Sequence, residues 1–105
     1  MKKVKTLVAA AALLVASASY ADVTIGVVLS LTGPASGLGI PVKNEIALWP
    51  KSIDGQKLNV IVLDDATDPT QGVKNARRLV SEDKVDVIVG SVATPVAIPM
   101  AAVAA

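Results

Sequence analysis

Three stretches of this 105-residue chain hold side chains able to act on another molecule: Leu31-Thr-Gly-Pro-Ala-Ser-Gly-Leu-Gly39, the acidic run Asp64-Asp65 with Asp68, and Gly90-Ser-Val-Ala-Thr94. The first is rich in glycine and small hydroxyl residues, so its backbone can approach a ligand closely and offer its own N–H groups. Its glycines, Gly33, Gly37 and Gly39, fit neither G-x-G-x-x-G nor G-x-x-x-x-G-K-[ST], which argues against a phosphate cofactor. On this loop alone, a ligand loop and a plain connector stand level. The third stretch runs into a helix start at Thr94-Pro95, where free N–H groups and the positive end of the helix dipole suit a carboxylate. Thr94 serves equally well there as a simple N-cap. The acidic run has the composition of a hard-cation site or a phosphoacceptor. Asp68 is needed as a helix cap, however, and the run follows a strand set away from the expected crevice, so its reading is structural.

Composition removes other chemistries. The sequence has no Cys and no His, which excludes disulfides, thiol catalysis, His-based triads and the usual zinc sites. Neither catalysis nor a cofactor or metal is expected.

Residues 1–21 read as a secretory leader. Lys2, Lys3 and Lys5 form a cationic start, residues 7–16 an apolar middle, and Ser19-Tyr20-Ala21 places small residues at −3 and −1, so cleavage is expected after Ala21. The apolar run is about half the 20 or so residues a membrane span needs. No Cys follows it to take a lipid. Loss of Lys2, Lys3 and Lys5 leaves seven basic residues against nine acidic ones, a net charge of −2. With Trp49 as the one remaining aromatic, that balance argues against a nucleic-acid partner. Residues 22–105 suffice for one small domain burying about 60–65% of its unfolded surface. The chain stops at Met100-Ala-Ala-Val-Ala-Ala105 without a helix-closing signal, so it is expected to be the front piece of something longer.

The elements that must position these loops follow from periodicity. Residues 23–31, 58–63 and 85–89 are β-branched, nearly continuous apolar runs, as strands covered on both faces require. Residues 42–49 predict a short helix with Val42, Ile46 and Trp49 on one face and Pro50 ending it; Ile53-Asp-Gly-Gln56 turns the chain into the second strand. A second helix begins with Asp68 as N-cap, Pro69 at its first position and Gln71 completing a capping box. Val73, Ala76, Leu79 and Val80 face inward, while Lys74, Arg77 and Arg78 form a solvated face. A third helix starts at Thr94-Pro95, bent by Pro99. The order β-α-β-α-β with right-handed crossovers is half of a parallel, doubly wound α/β sheet. A 2-1-3 strand order places a ligand crevice at the carboxyl ends of strands one and three, between residues 32–40 and 90–94.

Four stretches resemble the exported substrate-binding proteins of ABC transporters, of the leucine/isoleucine/valine-binding type. They are IGVVLSLTGPASGLG (residues 25–39), Leu63-Asp-Asp-Ala-Thr-Asp-Pro69, Asn75-Ala-Arg-Arg-Leu-Val80 and VDVIVGSVAT (residues 85–94). The resemblance implies a Rossmann-like partial first lobe of a type I periplasmic binding protein over residues 22–105, the second lobe being absent. It further implies a periplasmic location, a small amino-acid or carboxylate ligand, and a permease partner in the inner membrane. The family's carboxylate-binding hydroxyl falls on Thr94, with Ser91, Val92 and Ala93 lining the crevice, and its ligand-flanking side chain falls on Leu38. Members that take aliphatic amino acids often carry an aromatic near Leu38, whereas GPASGLGIP is similar to members taking aromatic or other organic carboxylates. Family members are several times longer than this chain. A sensor ectodomain with the same fold is the alternative, marked by a transmembrane helix downstream.

Overall fold

The alternation of strands and helices expected from the sequence is realised in the computed structural model, which describes residues 22–105. The elements are β1 (Val23–Leu29), α1 (Ser36–Ile46), β2 (Ser52–Ile53), β3 (Gln56–Asp64), α2 (Pro69–Ser81), β4 (Val87–Gly90) and α3 (Thr94–Ala104). The export leader expected over residues 1–21 lies outside the described residues. The sheet order is β2-β3-β1-β4. β1 runs parallel to β3, from Val23 opposite Leu58 to Leu29 opposite Asp64, and parallel to β4, from Ile25 opposite Val87 to Val28 opposite Gly90. The parallel strands therefore stand in the expected 2-1-3 order.

β1 is the central strand, and its alternating side chains serve two cores. Val28 packs with Ala76 and Leu79 of α2 and Val96 and Met100 of α3. Val27 and Leu29 point to the other face and pack with Ile46 of α1. A strand buried on both faces needs this unbroken apolar run.

Several boundaries depart from expectation. α1 begins at Ser36, six residues before the expected start at 42, and continues through Pro41. Gly and Pro disfavour a helix there, but Gly39 is buried against the backbone of Ser30, and packing on the sheet overrides the local preference. Beyond Ile46 the chain tightens, with Leu48 and Trp49 N–H groups donating to the carbonyls of Glu45 and Ile46. β2 adds a short antiparallel strand. Ser52 and Ile53 pair with Lys57 and Gln56 through the two-residue loop Asp54-Gly55, both at positive φ (50° and 79°).

In α2 the Asp68 cap forms, its carboxylate accepting from the Thr70 N–H at 3.0 Å. The capping box does not: the Gln71 amide donates to Asn75 Oδ1 at 3.0 Å, and the Asp68 N–H is taken by the Asp65 carbonyl at 2.8 Å. The buried face is Gly72, Asn75, Ala76 and Leu79. Val80, expected inward, is 46% exposed, because one residue beyond Leu79 lies about 100° further round the helix. α3 begins at Thr94 with Ala93 in the N-cap position and no side-chain cap, so Thr94 is the first helical residue and not the cap.

Candidate ligand site

Because β1, β3 and β4 are parallel, the segments that follow them meet at one edge of the sheet. Two adjacent aspartates organise that edge. Asp64, at the end of β3, turns its carboxylate toward the loop after β1. Its Oδ1 accepts from the amides of Leu31 (2.9 Å), Thr32 (3.2 Å) and Ala66 (2.8 Å), and its Oδ2 from the Thr32 hydroxyl (2.7 Å). Partial burial pushes the Asp64 pKa up, but the Ala66 amide, the Thr32 hydroxyl and the Leu31 and Thr32 amides together outweigh it and hold the carboxyl below its ordinary range.

Asp65 is completely buried. Its Oδ1 accepts from the Ser30 hydroxyl at 2.7 Å and the Thr67 amide at 2.8 Å, and its Oδ2 from the Ser91 hydroxyl at 2.6 Å. Its own amide donates to the Leu29 carbonyl at 2.9 Å. One carboxylate thus touches the segments beyond all three parallel strands. Ala66 and Thr67 turn the chain with φ of 54° and 60°, and the turn closes through the Asp68 N–H to Asp65 carbonyl bond. A β-branched residue is strained in that region. The Thr67 hydroxyl offsets the strain by donating to the Thr32 carbonyl (3.0 Å) and accepting from the Ala35 amide (3.1 Å).

Gly90 sits at φ 126°, where a side chain would run into the backbone of Val28, so only glycine lets β4 approach β1 as it enters the third loop. Ser91, read from the sequence as a crevice residue, is half-buried. Its hydroxyl donates to Asp65 and accepts from the Ala93 amide at 3.3 Å, so it shapes the loop from behind. Val92 packs toward the Val27, Leu29 and Ile46 core, and Ala93 toward the Val28 and Leu79 core. Thr94 is exposed at the first position of α3, whose first turn carries no acidic residue. Leu38 is 61% exposed on the first turn of α1. The structure therefore joins Ser91 to Ala93 by a hydrogen bond and sets Leu38 and Thr94 on the opening turns of two helices that leave the same sheet edge.

Sequence reasoning missed Ser30 and Thr67, and it read Asp65 as structural without its bond to Ser91. Asp65 follows a strand one removed from the crevice, yet its side chain reaches past β1 to the third loop. A serine directly after β1 and another directly after β4, facing an aspartate directly after β3, was the available signal. Among the described residues, no group of His, Cys, Asp or Glu is arranged to hold a metal ion.

The half-sheet is parallel α/β, with helix starts beyond the carboxyl ends of β1 and β4. The profile of the periplasmic binding proteins matches residues 22–105, and the chain belongs to that family. It is 39% identical over 106 residues to a Leu/Ile/Val-binding protein homologue of Brucella melitensis, covering 95% of this chain and 28% of that protein. An extracellular ligand-binding receptor from Rhodopseudomonas palustris superposes with a TM-score of 0.79 at 44% identity, covering 82% of this chain and 24% of the receptor. A solute-binding protein of an ABC transporter from Rhodopseudomonas palustris, solved with 3,4-dihydroxybenzoic acid, superposes with a TM-score of 0.72 at 31% identity over 79% of this chain and 24% of its own. The chain thus spans less than a third of the length of these relatives.

Proposed function

We propose that residues 22–105 form the crevice-bearing part of the first lobe of a periplasmic solute-binding protein. It captures small organic carboxylates and passes them to an ABC permease of the inner membrane, without catalysis. The observation that carries this reading is the start of α3: an exposed Thr94, no side-chain cap and no acidic residue in the first turn. Such a terminus attracts a carboxylate through the Thr94 amide and hydroxyl and through the helix dipole. The name of the Brucella relative supports branched-chain amino acids as ligands, and the dihydroxybenzoate complex of the Rhodopseudomonas relative supports aromatic acids. Leu38 on the opening turn of α1 supplies an apolar contact for either. The leader expected over residues 1–21 supports export, and a mature N-terminus at Asp22 by mass spectrometry checks it.

Calorimetric titration of a full-length protein carrying this lobe, with leucine and with 3,4-dihydroxybenzoate, tests the site. A hydrogen bond to a charged group contributes about 1.5–3 kcal/mol, so Thr94→Ala weakens binding by roughly tenfold or more. Asp68→Ala, which removes the cap of α2, leaves affinity unchanged. Equal affinity of the Thr94→Ala and unsubstituted proteins for both ligands would overturn the assignment.

A further inference from the structure

We propose that Asp65 is a positioning residue for the ligand crevice, fixing the start of α3 through Ser91; the proposal rests on the crevice reading above only for its effect on affinity. A carboxylate with no solvent exposure persists only when its oxygens are well bonded, and here both are. The two hydroxyl contacts, 2.6 and 2.7 Å, have the short length of charge-assisted bonds. Asp65 itself cannot drift. Its amide is tied to the end of β1 through the Leu29 carbonyl, and its Oδ1 is tied to Ser30 and to the Thr67 amide within its own turn.

The third loop, by contrast, leaves β4 with one directional tie to the rest of the sheet edge among the described residues, the Ser91 hydroxyl on Oδ2. Val92 and Ala93 add apolar contacts, which hold a loop in place without orienting it. The same Ser91 oxygen accepts the Ala93 amide, and the Ala93 carbonyl in turn accepts the first bonds of α3, from Val96 and Ala97, both at 3.0 Å. Asp65, Ser91 and Ala93 form a continuous chain from the centre of the sheet to the first turn of α3. The orientation of that turn decides where the Thr94 amide and hydroxyl point.

Asp65→Asn tests the chain with little change of shape: the amide oxygen can still accept from Ser30 and Thr67, but an NH2 group replaces the acceptor that faces Ser91 and can only donate a weaker, neutral bond to its oxygen. Ser91→Ala removes the same contact from the other side and is the milder change if the first variant folds poorly. Amide hydrogen exchange of the ligand-free full-length protein is the primary readout. Ala93, Val96 and Ala97 are expected to exchange about tenfold faster in each variant relative to Leu79 in α2, which reports general loosening. Affinities for leucine and 3,4-dihydroxybenzoate form the second readout: each single variant weakens binding about tenfold, and the double variant weakens it no further than the worse single, within about twofold. Unchanged exchange ratios at Ala93, Val96 and Ala97 overturn the proposal, as do additive affinity losses. If Thr94→Ala leaves affinity untouched while the exchange ratios respond, the crevice assignment fails and the positioning role stands. If Thr94→Ala weakens binding and neither Asp65→Asn nor Ser91→Ala moves either readout, the reverse holds.

Discussion

Asp64 and Asp65 are chain neighbours that work on opposite partners. Asp64 faces amides, and those amides together with Thr32 hold its carboxyl below the ordinary range. A carboxylate whose pKa is lower in the folded than in the unfolded state adds stability that is present above the unfolded value, near 3.9, and lost as the pH falls through the folded value. Thermal melts should therefore be level in this contribution from neutral pH down to about pH 5 and fall below it. Asp64→Asn should melt lower at neutral pH, with the gap to the unsubstituted protein closing in acid; a gap constant down to pH 2 would show that Asp64 does not carry the effect. At this scale the sequence was legible where a side chain acts on its own turn, as with the Asp68 carboxylate on the Thr70 amide. It was opaque where a side chain reaches across a strand, because spacing along the chain does not encode the reach from Asp65 past β1 to Ser91.

At the level of elements, the strands were readable because each of the three parallel runs has a β-branched, apolar composition, although only the central β1 is buried and the expected cover on both faces of β4 is not found. The helix starts were readable where a cap or a first-turn proline marks them, as Pro95 does for the uncapped α3. Asp68 and Pro69 start α2 as expected, and Asp68→Ala should cost about 1 kcal/mol, seen as a lower midpoint in urea with an unchanged slope. An unaltered midpoint would mean that the bond to the Thr70 amide adds nothing. α1 was misplaced because its opening turn is stabilised by a long-range contact, Gly39 on Ser30, against its own propensity. The capping box failed for a related reason: the Asp68 N–H was already claimed by the turn at Ala66-Thr67.

Across the whole molecule, apolar surface is left open on one side. Val87 and Val89 of the edge strand β4 are 47% and 43% exposed, Ile98 on α3 is 68% exposed, and α3 carries no charged side chain. A helix apolar all round is normally covered, and an open apolar strand edge invites pairing with another chain. Residues 22–105 produced alone should therefore bind a hydrophobic dye, melt broadly and self-associate on size-exclusion chromatography. A sharp transition in a monomer would show that these surfaces are tolerated.

The uncapped beginning of α3 has a thermodynamic corollary. Pro95 has no N–H and the Val96 and Ala97 amides already donate to the Ala93 carbonyl, so the Thr94 amide is the donor left open at this turn, and a ligand carboxylate seated there would complete it. Occupancy and melting then become one measurement. In a full-length protein carrying this lobe, the added stability should grow as RT ln(1 + [L]/Kd), about 2.7 kcal/mol at a hundredfold excess of ligand over Kd. A series of candidate acids could be ranked by heating alone.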